Sequence, residues 1–375
     1  NYKMKNFLWL SDLNENIEQF LSTLKYGDDK FNFKPCLDGV EKSGERLKLG
    51  FSCYALKIFF ITGVWDRVDD KNKNEWTNYI NSFQKNQNKF PENSFIDNEY
   101  VKNFNLEQNK QFIKNSTKKL LNLLPNMNYL TKNQILMNSI RAESKQAIST
   151  LYQVDCINQK KYKEFPSDYE AINIYLNSLN WSKPWSSGAQ FASLCVFNKT
   201  QLPNNKSSIK ALEEFSNKLV NKETGGYYFG DKPNSQEFIN GTMKMITGFD
   251  WLDSQIHYPE KLIDYCLGTN PSSEGCDLVD IVYVLYMCQK QTNYRKSEIV
   301  KYLNDLISII YLHFFPNFYG FSYFLNKSQT HYYGVKISKG LNTPDIHGTT
   351  LLVWALSMIL EIIEFETFKW NPLKP

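Results

Sequence analysis

Apolar residues recur at helical spacing along almost the whole chain, and this pattern constrains the fold more than any other feature. Near the start, Ile17, Phe20, Leu21 and Leu24 fall at positions i, i+3, i+4 and i+7. Glycine and proline lie mainly between such segments, and no convincing two-residue alternation marks a strand. We therefore predict an all-α fold with further helices at 49–65, 106–124, 132–154, 168–179, 186–197, 207–221, 238–252, 277–290, 296–314 and 348–365.

The composition is that of a folded protein. The 375 residues are 42% hydrophobic and 15% aromatic, which is enough for one large core or two smaller ones. The 43 basic and 39 acidic side chains nearly balance, and no block of like charge stands out, so we expect no nucleic-acid partner. The charged stretch at 69–75 is interpreted as a solvated face, with Asp69 and Asp70 in a charged loop.

Cysteine usage and hydropathy bear on location. Seven cysteines occur without a CxxC pair, several inside apolar segments, which is typical of buried free thiols in a reducing compartment. No N-terminal segment has the order of a signal peptide, and the apolar run at 351–360 is too short to span a bilayer. These features predict a cytoplasmic protein without an integral membrane segment.

A weak internal repeat is present in the second half of the chain. The segment NGTMKMI at 240–246 aligns with HGTTLLV at 347–353, and SGAQF at 187–191 is a looser copy. Aromatic glycine turns, GGYYF at 225–229 and YGFSYF at 319–324, precede the first two. A unit of glycine turn, loop and apolar helix must stack on its neighbours to bury its apolar face, and ten to twelve such helices in pairs could close into a ring.

These segments, together with LVDIVYVLY at 278–286, resemble the repeated GGF-type motifs of the terpenoid cyclase and protein prenyltransferase superfamily. The similarity covers roughly the C-terminal half of the chain. It implies a single (α/α) toroid domain over residues 1–375, with about six helical pairs. It also implies a central cavity lined by the N-terminal ends of an inner ring of helices. A shared fold does not by itself fix the function.

The zinc site of the prenyltransferases is incomplete in this chain. Their pattern is an Asp, a Cys two residues later and a His that opens a later helix. Asp280 and His347 match, but Val282 stands at the cysteine position, and Cys276 lies N-terminal to Asp280 rather than on the matching turn. Without the thiolate the ligand set is unconvincing, so we expect no metal and no other cofactor.

The acidic motifs of the terpene cyclases, DxDD and DDxxD, are also missing. Asp277 and Asp280 are spaced as a helix N-terminus, with Asp277 interpreted as the cap. Other (α/α) toroids carry polysaccharide lyases, epimerases and glycoside hydrolases, which use Tyr, His, Arg, Asn and paired carboxylates. The chain offers many residues of these types.

Four residues are candidates for acid/base catalysis. Asp345 and His347 open an apolar helix, and Tyr332 lies in the loop before it. Glu143 interrupts an apolar helical stripe, where a carboxylate is unexpected unless it is paired or faces a cavity. A buried structural ion pair involving Arg141 is an equal alternative for Glu143.

Seven further residues are candidates for substrate binding. Trp185 lies in a loop that leads into a helix, where an indole could stack on a sugar ring or shield a carbocation. Asn240 and Lys244, one turn apart at a helix start, could neutralise an anionic group. The rest of the set is Arg141, Asp280, His331 and Tyr333.

Three functions remain open. The first is an acid/base toroid enzyme related to the terpenoid cyclases, with no substrate assigned. The second is a lyase, epimerase or glycoside hydrolase that acts on a glycan or glycolipid, and the third is a non-catalytic binding scaffold. Aromatic and apolar cavity walls would favour isoprenoid chemistry, walls with Arg, Lys, Asn, His and carboxylates would favour glycan chemistry, and a filled cavity would exclude an enzyme. The expected partner is a small-molecule, lipid or glycan substrate.

Overall fold

The computed structural model describes residues 7–110 and 130–375, and this part of the chain is mostly helical. Its fifteen helices confirm the all-α prediction. They are α1 (Leu8–Thr23), α2 (Lys42–Arg46), α3 (Leu49–Ile61), α4 (Val64–Arg67), α5 (Asp70–Asn81), α6 (Asn98–Lys110), α7 (Lys132–Gln153), α8 (Tyr169–Asn177), α9 (Pro184–Gln201), α10 (Lys206–Leu219), α11 (Ser235–Leu252), α12 (Pro259–Leu267), α13 (Gly275–Gln289), α14 (Lys296–Tyr311) and α15 (Ile346–Ile362).

Eight short strands form four antiparallel pairs within the described ranges. The pairs are β1 (Lys25–Tyr26) with β2 (Asp29–Phe33), β3 (Gln84–Lys85) with β4 (Ser94–Phe95), β5 (Phe314–Phe315) with β6 (Gly320–Phe321), and β7 (His331–Tyr332) with β8 (Val335–Lys336). Seven of the eight have two residues, too few for an alternating sequence pattern to be recognised.

Most predicted helices are confirmed to within one turn, but some regions differ. The predicted segment 106–124 overlaps the end of α6, and its residues 111–124 lie outside the described residues. The placement of Asp69 and Asp70 in a loop is wrong, because Asp69 accepts a hydrogen bond from the backbone N–H of Asn72 and caps α5, which begins at Asp70. The helices α2, α5 and α12 were not predicted; α2 has only five residues, too few for a periodic pattern.

Six helices contact one another in a closed series, which we call the six-helix circuit. The order of contacts is α3, α7, α9, α11, α13, α15 and again α3. The circuit helices are buried on most sides; in α3, for example, ten of thirteen residues are buried. Helices outside the circuit have a single buried face, as in α1, whose buried residues are Leu10, Leu13, Ile17, Phe20 and Leu21.

The repeated glycines lie where helices approach closely. A Cβ on Gly241 would lie 2.6 Å from the Cβ of Pro184, and a Cβ on Gly188 would lie 2.9 Å from the Cβ of Lys244. Both are closer than real Cβ atoms come to such neighbours, so α9 and α11 require glycine at these positions. The repeated glycine therefore has a packing role.

The C-terminal segment 366–375 crosses the C-terminal ends of three circuit helices. The backbone N–H of Asn371 donates to the carbonyl of Ile61 at the end of α3, at 2.7 Å. The backbone N–H of Lys374 donates to the side chain of Gln153 at the end of α7, at 3.1 Å. The indole of Trp251, near the end of α11, donates to the carbonyl of Pro375 at 2.6 Å. We call residues 366–375 the tail.

Within residues 7–110 and 130–375, none of the helices combines the length and the apolar character that crossing a membrane would require.

Candidate functional site

A cavity of about 400 Å³ lies among the circuit helices, and all six contribute to its wall. The hairpin β7–β8, the loop before it and the tail complete the lining. Several lining side chains belong to the first turns of their helices, namely Trp185, Cys276 and His347. Leu373 and Pro375 of the tail line the cavity as well. The cavity thus extends from the helix N-termini to the tail.

His347 lines this cavity with its imidazole held between two phenol rings. The ring of Tyr54 stacks on it at 4.6 Å between centroids, and the ring of Tyr323 lies 5.3 Å away. Nδ1 lies 2.9 Å from Oε1 of Gln329, and with the amide in this orientation Nδ1 carries the proton and Nε2 the lone pair. Burial, with repulsion from Lys57 and Lys244, lowers the pKa of His347 to about 3. The imidazole is therefore neutral at physiological pH.

Asp345 is fully buried, and its carboxylate bonds to backbone N–H groups rather than lining the cavity. Its carboxylate accepts hydrogen bonds from the backbone N–H groups of Gly348 (2.7 Å), Tyr323 (2.7 Å) and Gln329 (3.1 Å). Burial raises the pKa of Asp345, and these donors act against that increase. Asp345 caps α15 and ties the loop at 321–329 to the helix that carries His347.

Tyr332 reaches the cavity because its hairpin turns through two residues with positive φ. Tyr333 has φ +42° and Gly334 has φ +82°, as in the tight turns that favour glycine. The Tyr332 hydroxyl donates to Oε1 of Glu143. A Cβ on Gly50 would overlap this hydroxyl, so Gly50 in α3 leaves the space that it occupies.

Glu143 lies behind Tyr332, and its other oxygen, Oε2, is buried without a hydrogen-bond partner. Burial raises the pKa of Glu143 to about 8. Burial and the nearby Glu143 raise the pKa of the Tyr332 hydroxyl well above its ordinary value of 10. At neutral pH both groups therefore hold a proton, and the pair can pass one toward the cavity.

Three lysines on three circuit helices line the cavity: Lys57, Lys145 and Lys244. Burial lowers the pKa of Lys57 to about 8, with a further contribution from Lys244. Burial and repulsion from the other two lysines lower the pKa of Lys145 well below its ordinary value. None of the three has an ion pair within 4.0 Å among the described residues.

Asp280 also lines the cavity, and its Oδ2 is buried without a hydrogen-bond partner. Burial raises the pKa of Asp280 to about 7. Cys276 and His347 line the same cavity, whereas Val282 is fully buried in the core. Across residues 7–110 and 130–375, no group of three or more His, Cys, Asp or Glu side chains is arranged to hold a metal ion.

The predicted cap at Asp277 is wrong. The N-cap of α13 is Glu274, and Asp277 lies in the first turn. Its Oδ1 accepts from Asn240 at 3.0 Å, and its Oδ2 accepts from Ser272.

Of the predicted site residues, the catalytic candidates Asp345 and Glu143 do not line the cavity, and three of the binding candidates also lie away from its wall. Asn240 is fully buried and joins α11 to Asp277 of α13. Arg141 packs its guanidinium on the ring of Tyr175 at 5.6 Å rather than pairing with Glu143. His331 is exposed on β7 and contacts Thr330 at 3.0 Å.

For three binding candidates the predicted position within the secondary structure is wrong. Asn240 and Lys244 are not at a helix start, because α11 begins at Ser235 and places them in its second and third turns. Trp185 is the second residue of α9 rather than part of a loop, and it lines the cavity with 37% of its surface exposed. Tyr333 lines the cavity beside Tyr332.

The sequence reasoning missed several cavity residues, chiefly Tyr54, Lys57, Lys145, Gln146, Tyr323 and Gln329. One signal was available. Lys57 is the only charged residue in the apolar segment of α3, where a cation is as unexpected as Glu143 is in α7. Tyr323 and Gln329 gave no such signal, because they lie on loops whose course depends on Asp345.

Comparisons of the chain with protein-family models, with curated proteins and with solved structures give no match. The resemblance to the terpenoid cyclase superfamily therefore stays a prediction.

Proposed function

We propose that the chain is a single-domain (α/α) toroid enzyme that catalyses proton transfer on a polar, sugar-like substrate in its central cavity. The closed series of contacts in the six-helix circuit supports the toroid. The cavity is open rather than filled, and every circuit helix contributes side chains to it. Both features favour an enzyme over a scaffold, since concave sites with convergent polar groups are typical of substrate binding.

One observation carries the chemistry: a neutral imidazole and a protonated phenol flank the same ring on the cavity wall. The ring of Tyr54 contacts His347 at 4.6 Å and Tyr332 at 6.3 Å between centroids. Nε2 of His347 is a proton acceptor, and the Tyr332 hydroxyl, backed by Glu143, is a proton donor. A base and an acid placed together in this way suit a lyase or an epimerase.

For a lyase, the reaction balances with these groups alone. His347 removes a proton from a substrate carbon, and the electron pair of that C–H bond forms a C=C bond. The C–O bond at the neighbouring carbon breaks, and its oxygen takes the proton of Tyr332, whose hydroxyl turns from Glu143 to the substrate. Protonated Glu143 then gives its own proton to the phenolate oxygen of Tyr332. For an epimerase, the proton of Tyr332 returns to the carbon from the opposite side.

The mixed character of the wall favours a saccharide. Aromatic rings such as Trp185 suit the C–H faces of a sugar, and the amides of Gln146, Gln190 and Gln329 suit its hydroxyl groups. An isoprenoid chain would leave the three lysines of the wall without partners, at a free-energy cost. The glycan alternative is therefore our choice over the isoprenoid one.

The test is proton exchange in deuterated water. A panel of neutral and acidic saccharides is incubated with the protein, and NMR follows the loss of C–H signals while ultraviolet absorbance follows new C=C bonds. We expect turnover on at least one member, and we expect His347→Gln and Tyr332→Phe each to lower its rate about 100-fold or more. His331→Gln is the matched control, because His331 lies outside the cavity. Full turnover by His347→Gln, or no exchange on any saccharide, would contradict the proposal.

A further inference from the structure

The three cavity lysines have no structural role that accounts for their position. Lys57, Lys145 and Lys244 come from α3, α7 and α11, and in the described part of the chain no acidic side chain lies within 4.0 Å of their ammonium groups. Other lysines, such as Lys163 with Glu92 at 3.1 Å, form ion pairs at the surface. The three lysines are half-buried, and partly desolvated cations without partners carry a free-energy cost that an anionic ligand offsets.

The acids near these lysines do not neutralise them. Glu143 attracts Lys57, and Asp280 attracts Lys244, but neither pair lies within ion-pair distance. Because burial raises the pKa of Glu143 to about 8 and that of Asp280 to about 7, both acids hold their protons for much of the time at neutral pH. At neutral pH the two acids therefore compensate the positive charge of the cavity only in part.

We propose that Lys57, Lys145 and Lys244 bind an oxyanion group of the substrate, a phosphate or a carboxylate. Ammonium groups on three helices can surround such a group and form charge-assisted hydrogen bonds to its oxygens. This inference rests on the proposed function, because it concerns a substrate of the same cavity. It adds that the substrate is an acidic or phosphorylated saccharide rather than a neutral one.

Anion binding also changes the pKa of His347, the proposed proton acceptor. Repulsion from Lys57 and Lys244 contributes to the low pKa of His347, after burial. An anion between the two lysines offsets that repulsion and raises the pKa of His347. An acidic substrate thereby makes the imidazole a stronger base. The other titratable groups around the site are Lys145, Glu143, Asp280, Cys276 and the phenols of Tyr54, Tyr323, Tyr332 and Tyr333.

Isothermal titration calorimetry tests the anion site with three probes: inorganic pyrophosphate, D-glucuronate and D-glucose. We expect pyrophosphate or glucuronate to bind more tightly than glucose, and the one that binds identifies phosphate or carboxylate. Lys57→Met, Lys145→Met and Lys244→Met should each weaken that binding about tenfold or more. Lys218→Met, at an exposed lysine of α10, is the matched control and should leave it unchanged.

Anions that bind no better than glucose, or an equal loss in Lys218→Met, would overturn the inference. Methionine removes a desolvated charge and keeps the length of the stem, so the variants should fold, and circular dichroism checks this. Different results would contradict the proposed enzyme and the proposed anion site. Anion binding without turnover on any saccharide leaves the lysine site standing and contradicts the enzyme. Turnover of a neutral saccharide that survives all three lysine substitutions leaves the enzyme standing and contradicts the site.

Discussion

Replacing Gly348 with alanine should destabilise the fold strongly, because α15 begins against the backbone of the preceding loop. A Cβ at this position would lie 2.5 Å from the carbonyl carbon of Ser322 and 2.8 Å from Cα of Tyr323. Both neighbours are backbone atoms, which cannot rotate away as a side chain could. The start of α15 must therefore move by about 1 Å relative to the loop, since overpacked sites relax by shifting backbone.

The cost follows from the bonds that such a shift breaks. Asp345 holds the two segments together through the N–H groups of Gly348 and Tyr323, each at 2.7 Å. A buried polar group that loses its partner costs about 1–3 kcal/mol, so weakening both bonds costs about 3–5 kcal/mol. Alanine returns about 1 kcal/mol through its higher helix propensity. The net loss of unfolding free energy is about 2–4 kcal/mol.

Urea unfolding, followed by circular dichroism and tryptophan fluorescence, measures this loss. The matched control is Gly268→Ala at the end of α12, where a Cβ would lie 3.5 Å from its nearest neighbour. We expect the control to stay within about 0.5 kcal/mol of the unsubstituted protein. Equal urea midpoints for the two variants would refute the reasoning that the glycine is required by close packing.

Two further predictions concern the buried carboxylates. Asp345→Asn should lower the unfolding free energy by about 2–5 kcal/mol. The NH₂ group of asparagine would face a backbone N–H group whose hydrogen bond the carboxylate now accepts. Urea unfolding close to that of the unsubstituted protein would argue against this role of Asp345. Asp280→Asn should alter the pH dependence of stability. Because the folded-state pKa of Asp280 is raised to about 7, its stabilisation is complete below about pH 4 and is lost as the pH rises toward 7. The variant should therefore gain on the unsubstituted protein over that range, by about 4 kcal/mol at most, and parallel stability curves would contradict the shift.

The helices and the repeated glycines were predictable from the sequence because their signals are local. Helical spacing of apolar residues and the repeated N-G-T and H-G-T triplets can be recognised without knowledge of distant partners. The same holds for Asp345, whose position two residues before His347 is that of a helix cap. Its carboxylate is enclosed by backbone donors, however, and this could not be read from spacing.

The composition of the cavity wall was harder to predict because it depends on contacts between distant segments. Tyr54 and His347 are far apart in the chain, yet their rings stack. Arg141 and Glu143 are two residues apart and point to different surroundings, since successive residues of a helix face different directions. Arg141 was wrongly predicted to share the surroundings of Glu143 because the two are close in sequence. Tyr54 was not predicted as a site residue because it is far from His347 in sequence.

The tail covers part of the cavity at the C-terminal ends of three circuit helices. It is tied to the ends of α3, α7 and α11 and places Leu373 and Pro375 against the cavity. A polymer that passes through the described part of the molecule on that side has to displace these two residues and break the hydrogen bonds that hold the tail.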